Sequence, residues 1–185
     1  MGPLVRRREF RPGQPRRRRG GKKGDPEEPP DHALGRSRGG YGTKLHVVCD
    51  GGGIPLGAWV SAGQEHESTH FTRAMAQVTL PDFIGGPWLH PRQLSGDKAY
   101  SSPALRRWLR DRHIEPVIPL RADEVRCHGE DPTFDREAYR GRNVIERLMG
   151  WLKECRRIAT RFEKLALNYL AMLKWAMVRR CLRLQ

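Results

Sequence analysis

The stretch Tyr139-Arg-Gly-Arg-Asn-Val-Ile-Glu-Arg-Leu-Met-Gly-Trp-Leu-Lys153 decides how the chain is read. Written as a helix, it turns roughly 100° per residue. Tyr139, Arg142, Glu146 and Lys153 then fall within an arc of roughly 60°. Val144, Ile145, Leu148, Leu152, Cys155 and Ala159 gather on the opposite side. A carboxylate between cations on one face and an apolar stripe on the other predict a long helix docked on a core, with a working polar face. A solvated face with an ordinary ion pair has the same spacing, so the neighbouring segments must decide.

Upstream of this helix, Thr43 to Cys49 is a β-branched run that ends at Asp50-Gly51-Gly52-Gly53, and Ile54 to Val60 follows. The pair predicts a hairpin with a Gly-rich turn. Ser68 or Thr69 is the expected cap of a helix reaching Val78. Gln93 to Asp97 predicts a short strand. Ser102 followed by Pro103 predicts a helix that ends near His113. Glu115 to Leu120 predicts an edge strand, because its prolines cannot donate to a ladder. Arg121 to Asp135 reads as a polar loop, and Glu163 to Leu184 as a last amphipathic helix. Hairpin, helix, strand, helix, strand and two helices make a mixed α/β layer structure. Residues 1–40 differ in composition. Arg16 to Arg19, Gly20 to Gly24 and the Pro/Glu run from Pro26 to Pro30 offer little to bury, so they read as a disordered basic tail before an ordered domain at 41–185.

The bulk numbers narrow the partners. A chain of 185 residues with a formal charge of +14 is one domain, or one domain with a tail, and favours polyanions, above all nucleic acid. The longest apolar stretch, Leu165 to Val178, is interrupted by Asn168 and Lys174 and is too short to span a bilayer. The opening arginines do not read as a signal peptide. Cys49, Cys127, Cys155 and Cys181 form no Cys-x-x-Cys pair. Neither a zinc ribbon nor a disulfide framework is expected, and a reducing cytoplasm fits. Trp88, Trp108, Trp151 and Trp175 read as packing residues rather than platforms for bases.

Three constellations bear on chemistry. Asp97, at a strand end, and Glu146, on the long helix, can hold Mg²⁺ or Mn²⁺ together with water and a substrate phosphate, while Arg142 and Lys153 address the phosphate. Taken alone, Asp97 before Lys98 is also an ordinary turn residue. His66-Glu67-Ser68-Thr69-His70 matches His-Glu-x-x-His, the zinc-hydrolase pattern. With the helix capped at Ser68 or Thr69, however, His66 falls outside it. Asp50-Gly51-Gly52-Gly53 lacks the Lys-Ser/Thr of a phosphate loop and reads as a turn.

The segments Gly35 to His46, Gly96 to Tyr100, Ile118 to Arg121, Phe134 to Arg147 and Arg156 to Lys164 carry a resemblance. Together they resemble bacterial insertion-sequence transposases of the DDE type, in the subgroup with a Tyr-x2-Arg-x3-Glu-x6-Lys signature. The likeness runs from about Gly35 to the C-terminus. It implies a ribonuclease-H-like mixed sheet flanked by helices and divalent-metal-dependent cleavage and joining of DNA at mobile-element ends. It implies that Asp97 and Glu146 are catalytic and metal-binding, and that Tyr139, Arg142, Asn143 and Lys153 contact or position double-stranded DNA.

The chain departs from the family at its first catalytic aspartate, which belongs on a strand before Gly35. Asp25 and Asp31 lie in the Pro/Glu-rich linker, and Asp50 follows the wrong strand, although it is the available substitute. The expectation is an incomplete fold, with the first strand missing or replaced, and a catalytic-domain fragment inactive alone. The alternatives are a non-catalytic fragment that binds DNA, a full-length transposase or a second copy, acting as inhibitor or relic, and, remotely, a zinc hydrolase using His66, Glu67 and His70.

Overall fold

The computed structural model describes residues 4–10, 31–37, 40–78, 91–129, 131–132 and 134–183. Its strands are β1 (Leu4–Phe10), β2 (Gly35–Ser37), β3 (Gly40–Cys49), β4 (Pro55–Ala62), β5 (Gln93–Gly96) and β6 (Glu115–Val117). Its helices are α1 (Glu67–Met75), α2 (Pro103–Arg110), α3 (Ala122–His128), α4 (Arg136–Arg140), α5 (Asn143–Glu154), α6 (Arg156–Ala159) and α7 (Ala166–Leu182).

The expected hairpin forms from β3 and β4, which pair antiparallel from Thr43↔Ala62 to Cys49↔Pro55. Asp50 builds its turn: Oδ1 accepts from the backbone N–H of Gly52 at 2.9 Å and of Ile54 at 2.8 Å. Gly53 takes a φ of 88°, a left-handed conformation that glycine adopts without a Cβ penalty. At the other end of the hairpin a Cβ on Gly63 would come within 2.5 Å of the Gly35 carbonyl, so only glycine lets β2 approach there.

β1 pairs antiparallel with β3 and parallel with β5, and β5 pairs parallel with β6. The sheet therefore runs β4-β3-β1-β5-β6, with β2 joined to the start of β3. β6 stands at the edge, where Pro116 is tolerated. Alternation along β3 divides the core. Leu45, Val47 and Cys49 pack with Ile145, Leu148 and Leu152 of α5 and Tyr169, Leu170 and Leu173 of α7. Val48, on the opposite face, packs with Phe71 of α1, Leu94 of β5, and Leu105 and Leu109 of α2. Helices thus cover both faces of a mixed sheet.

Several expectations are corrected. Strands β1 and β2 lie within residues 1–40, where no ordered element was expected. The sequence Leu-Val-Arg-Arg-Arg-Glu-Phe has no strand periodicity, and β1 gains its ladder from the neighbours on either side, a tertiary effect that outweighs propensity. A first strand was expected to be missing or replaced; β1 stands between β3 and β5 with no aspartate in its sequence. Helix α1 starts at Glu67 with His66 as its N-cap residue, two or three residues earlier than Ser68 or Thr69 would have it. The polar segment Arg121 to Asp135 contains α3, whose first turn is closed by Glu124 accepting from the Arg121 backbone N–H at 2.8 Å. The long helix is divided into α4 and α5 and ends at Glu154. Cys155 is extended and Ala159 belongs to α6, so the apolar stripe stops at Leu152. The last helix begins at Ala166 rather than Glu163. Ser102 does cap α2, accepting from Leu105 N–H at 3.2 Å. Among the tryptophans, Trp108 and Trp151 pack against the core, Trp88 lies outside the described residues, and Trp175 is 70% exposed, against the expectation of a packing role.

Candidate nucleic-acid and metal site

Asp97 directly follows β5 and leads into a short 3-10 turn at Lys98–Tyr100 that its side chain does not cap. It is half-buried. Glu146 sits in the first turn of α5, also half-buried. Helix α5 packs on β1, and α4 packs on β5. Because β1 and β5 are neighbours in parallel, the carboxylates arise from adjoining parts of one sheet and its covering layer.

The division between α4 and α5 does not scatter the signature. Gly141 and Arg142 keep right-handed helical dihedrals, while Val144 N–H to Gly141 O (3.2 Å) and Ile145 N–H to Arg142 O (3.1 Å) span three residues instead of four. Arg142 Nη2 donates to Glu146 Oε1 at 3.0 Å, and its guanidinium lies 5.1 Å from the centre of the Tyr139 ring. Arg142 Nε and Nη1 are buried without a protein partner. A guanidinium closed off from solvent at Nε and Nη1 is held in place, so its Nη2 fixes the Glu146 carboxylate. Lys153 stands in the last turn of α5, half-buried, and Asn143 is exposed at its first position. Tyr139 also touches Phe134, ring centres 5.4 Å apart, and with it lines a cleft of about 420 Å³ bounded by Pro119, Leu120 and Val125.

The donor set suits a hard divalent cation only in part. Asp97 and Glu146 offer oxygen ligands of the right kind. Among the described residues, however, no three His, Cys, Asp or Glu side chains are grouped to hold a metal ion. Strand β1, beside β5, has Glu9 and no aspartate. Asp50 spends its Oδ1 on the hairpin turn. The zinc pattern is not assembled. His66 is exposed at the helix cap, Glu67 is buried in an ion pair 2.6 Å from Lys44 Nζ, and His70 lies 3.3 Å from Glu65.

Sequence reading missed two buried polar clusters. His46 bridges Tyr100 Oη (3.0 Å) and Ser61 Oγ (2.8 Å) beneath the hairpin. Arg161 reaches the carbonyls of His32 (2.6 Å), Lys164 (3.0 Å) and Glu163 (2.9 Å), and the Thr43 hydroxyl. Period-two alternation along Lys44, His46 and Val48 was the only available signal for the first, and it cannot name partners.

Residues 15–180 match the family model described as a transposase DDE domain. The chain belongs to that family. A Burkholderia cepacia protein assigned as a transposase for insertion sequence element IS402 is 35% identical over 134 residues, covering 72% of this chain and 59% of that protein. The chain thus spans less than two thirds of that relative's length. The resemblance to bacterial insertion-sequence DDE transposases holds, and Asp97, Tyr139, Arg142, Glu146 and Lys153 all lie within the matched residues, whereas β1 precedes them. No helix among the described residues is long and apolar enough to cross a membrane.

Proposed function

We propose that this transposase DDE domain serves DNA transposition through a ribonuclease-H-like catalytic face on which Asp97 and Glu146 are the two carboxylates present. The observation that carries this reading is the placement of Asp97 at the end of β5, parallel to β1, with the Glu146 helix packed over β1. Asp97 and Glu146 would hold a Mg²⁺ or Mn²⁺ ion, whose chemistry is to polarise a DNA phosphate and to stabilise charge at the attacking and leaving oxygens. Arg142 orients Glu146 through its Nη2 donor. Tyr139 backs the guanidinium. Lys153 and Asn143 hold the DNA strand. With two carboxylates instead of three, the chain alone turns over weakly or not at all.

Two measurements test this. Mn²⁺ binding, followed by electron paramagnetic resonance, should fall at least tenfold in Asp97→Asn and in Glu146→Gln; unchanged binding in both sinks the site. Nicking of element-end DNA in Mg²⁺ or Mn²⁺ should be slight, and any that occurs should vanish in Glu146→Gln. Robust turnover by the unaltered chain would refute the incomplete site.

A second reading rests on the missing third carboxylate: a non-catalytic chain that binds DNA, or a full-length transposase, as an inhibitor or a relic. Its +14 charge would make DNA affinity fall steeply with salt. A flat salt response removes the DNA-binding version.

A further inference from the structure

Helix α7 is apolar on both sides. Its inner face, with Tyr169, Leu170, Leu173, Ala176 and Met177, is buried in the core. Its outer face exposes Leu167 (74%), Trp175 (70%), Val178 (48%) and Leu182 (68%). Ala171 is exposed between them. At about 100° per residue, these five fall within an arc of roughly 80°. A helix apolar all round is normally covered all round, and a contiguous exposed stripe of this kind marks an interaction surface.

Spacing identifies the shape of the cover. Ala171, Trp175, Val178 and Leu182 are separated by four, three and four residues, the alternation of a heptad seam. The stripe is narrow, and the helix is anchored by its inner face, so it presents a seam for one more helix rather than a face that can sink into lipid.

Charge identifies the chemistry. Lys174 and Arg179 flank the seam on either side and Arg183 follows, while α7 has no acidic residue. In a second copy of this chain, whether packed parallel or antiparallel, cations would face cations along both flanks. A partner helix with acidic flanking residues is complementary in either direction.

We propose that the outer face of α7 docks an amphipathic helix of a partner protein, with apolar residues at heptad spacing and glutamate or aspartate beside them. This surface does not depend on the catalytic reading.

The test uses the full chain and two labelled synthetic three-heptad peptides with Leu/Ile seams, one flanked by glutamate and one by lysine, read by fluorescence anisotropy. The glutamate peptide should bind at micromolar concentration and weaken with salt. It should lose at least tenfold in Trp175→Ala and in Leu182→Ser, both exposed positions whose far-ultraviolet circular dichroism should match the parent. The lysine peptide should bind at least tenfold more weakly. Equal binding of the two peptides, or none, overturns the proposal. So does a dimer in light scattering that Leu182→Ser dissociates, which assigns the face to a second copy. Preferential binding to phosphatidylglycerol vesicles, lost in Trp175→Ala, assigns it to a membrane surface instead.

Discussion

Arg142 Nη2 meets Glu146 Oε1 at 3.0 Å one turn apart across the junction of α4 and α5. The partners are 17% and 35% exposed, so the pair is worth little to the fold, about 0.3–0.5 kcal/mol for helix neighbours at this spacing. In the proposed site its role is to aim the carboxylate. Arg142→Ala should leave the thermal midpoint within about 2 °C while weakening both Mn²⁺ binding and DNA affinity, and Arg142→Lys should not restore them, because the ammonium lacks the planar fork. A midpoint drop large enough to account for the lost binding would make the pair structural.

Lys44 and Glu67 form a different kind of pair. Their side chains are 6% and 5% exposed, and Lys44 Nζ also donates to the Glu65 carbonyl at 2.6 Å. Removing one partner strands a buried charge. Lys44→Met should destabilise by about 3–5 kcal/mol in urea, and Lys44→Met with Glu67→Leu should recover most of that. An additive double variant, as unstable as the sum of the two single ones, would show the pair to be uncoupled. The same measurement bears on the zinc pattern, since Glu67 is spent on Lys44 in the folded chain.

His70 links stability to pH. Burial lowers its pKa below the usual 6.5, against the neighbouring Glu65 carboxylate that pulls it upward, while Arg73 and Lys44 lower it further. Unfolded chains therefore take up the proton first as acid is added. The stabilisation from a neutral His70 is full above 6.5 and is lost as pH falls below that value toward the lower folded pKa. His70→Phe should flatten the part of the stability profile between pH 7 and 5 due to this group. A variant profile parallel to the parent's across that window would exclude His70 as its source.

The helical signature was legible because Tyr139, Arg142 and Glu146 are close in sequence, and a local period carries through a 3-10 step. The β3-β4 hairpin, β5 and the Ser102 cap were legible for the same reason: turn chemistry and alternation are local. Strand β1 was not, because its strand state depends on ladders to β3 and β5 more than thirty residues away, and its arginine-rich sequence gives no period. Nor was α3, a short helix in a polar segment whose closing contact, Glu124 to the Arg121 backbone, is a side-chain event. The site was read as two carboxylates lacking a third, on a fold whose first strand was missing or replaced; β1 is a strand whose sequence holds Glu9 and no aspartate.

Arg161 binds distant parts of the chain. It is 8% exposed and donates to the carbonyls of His32, Glu163 and Lys164 and to the Thr43 hydroxyl, fastening the segment before β2 to the segment before α7. Its guanidinium also lies 5.0 Å from the centre of the Tyr169 ring. No other side chain has five donors in a fork that can satisfy these acceptors at once. Arg161→Lys should cost on the order of 3 kcal/mol, since several buried acceptors lose charge-assisted bonds. Backbone amides at 31–34 and 163–166 should exchange with solvent at least tenfold faster, while those of α2, on the far face of the sheet, change in step with global stability alone. Unaltered exchange at 31–34 would mean that another contact holds this segment to the sheet.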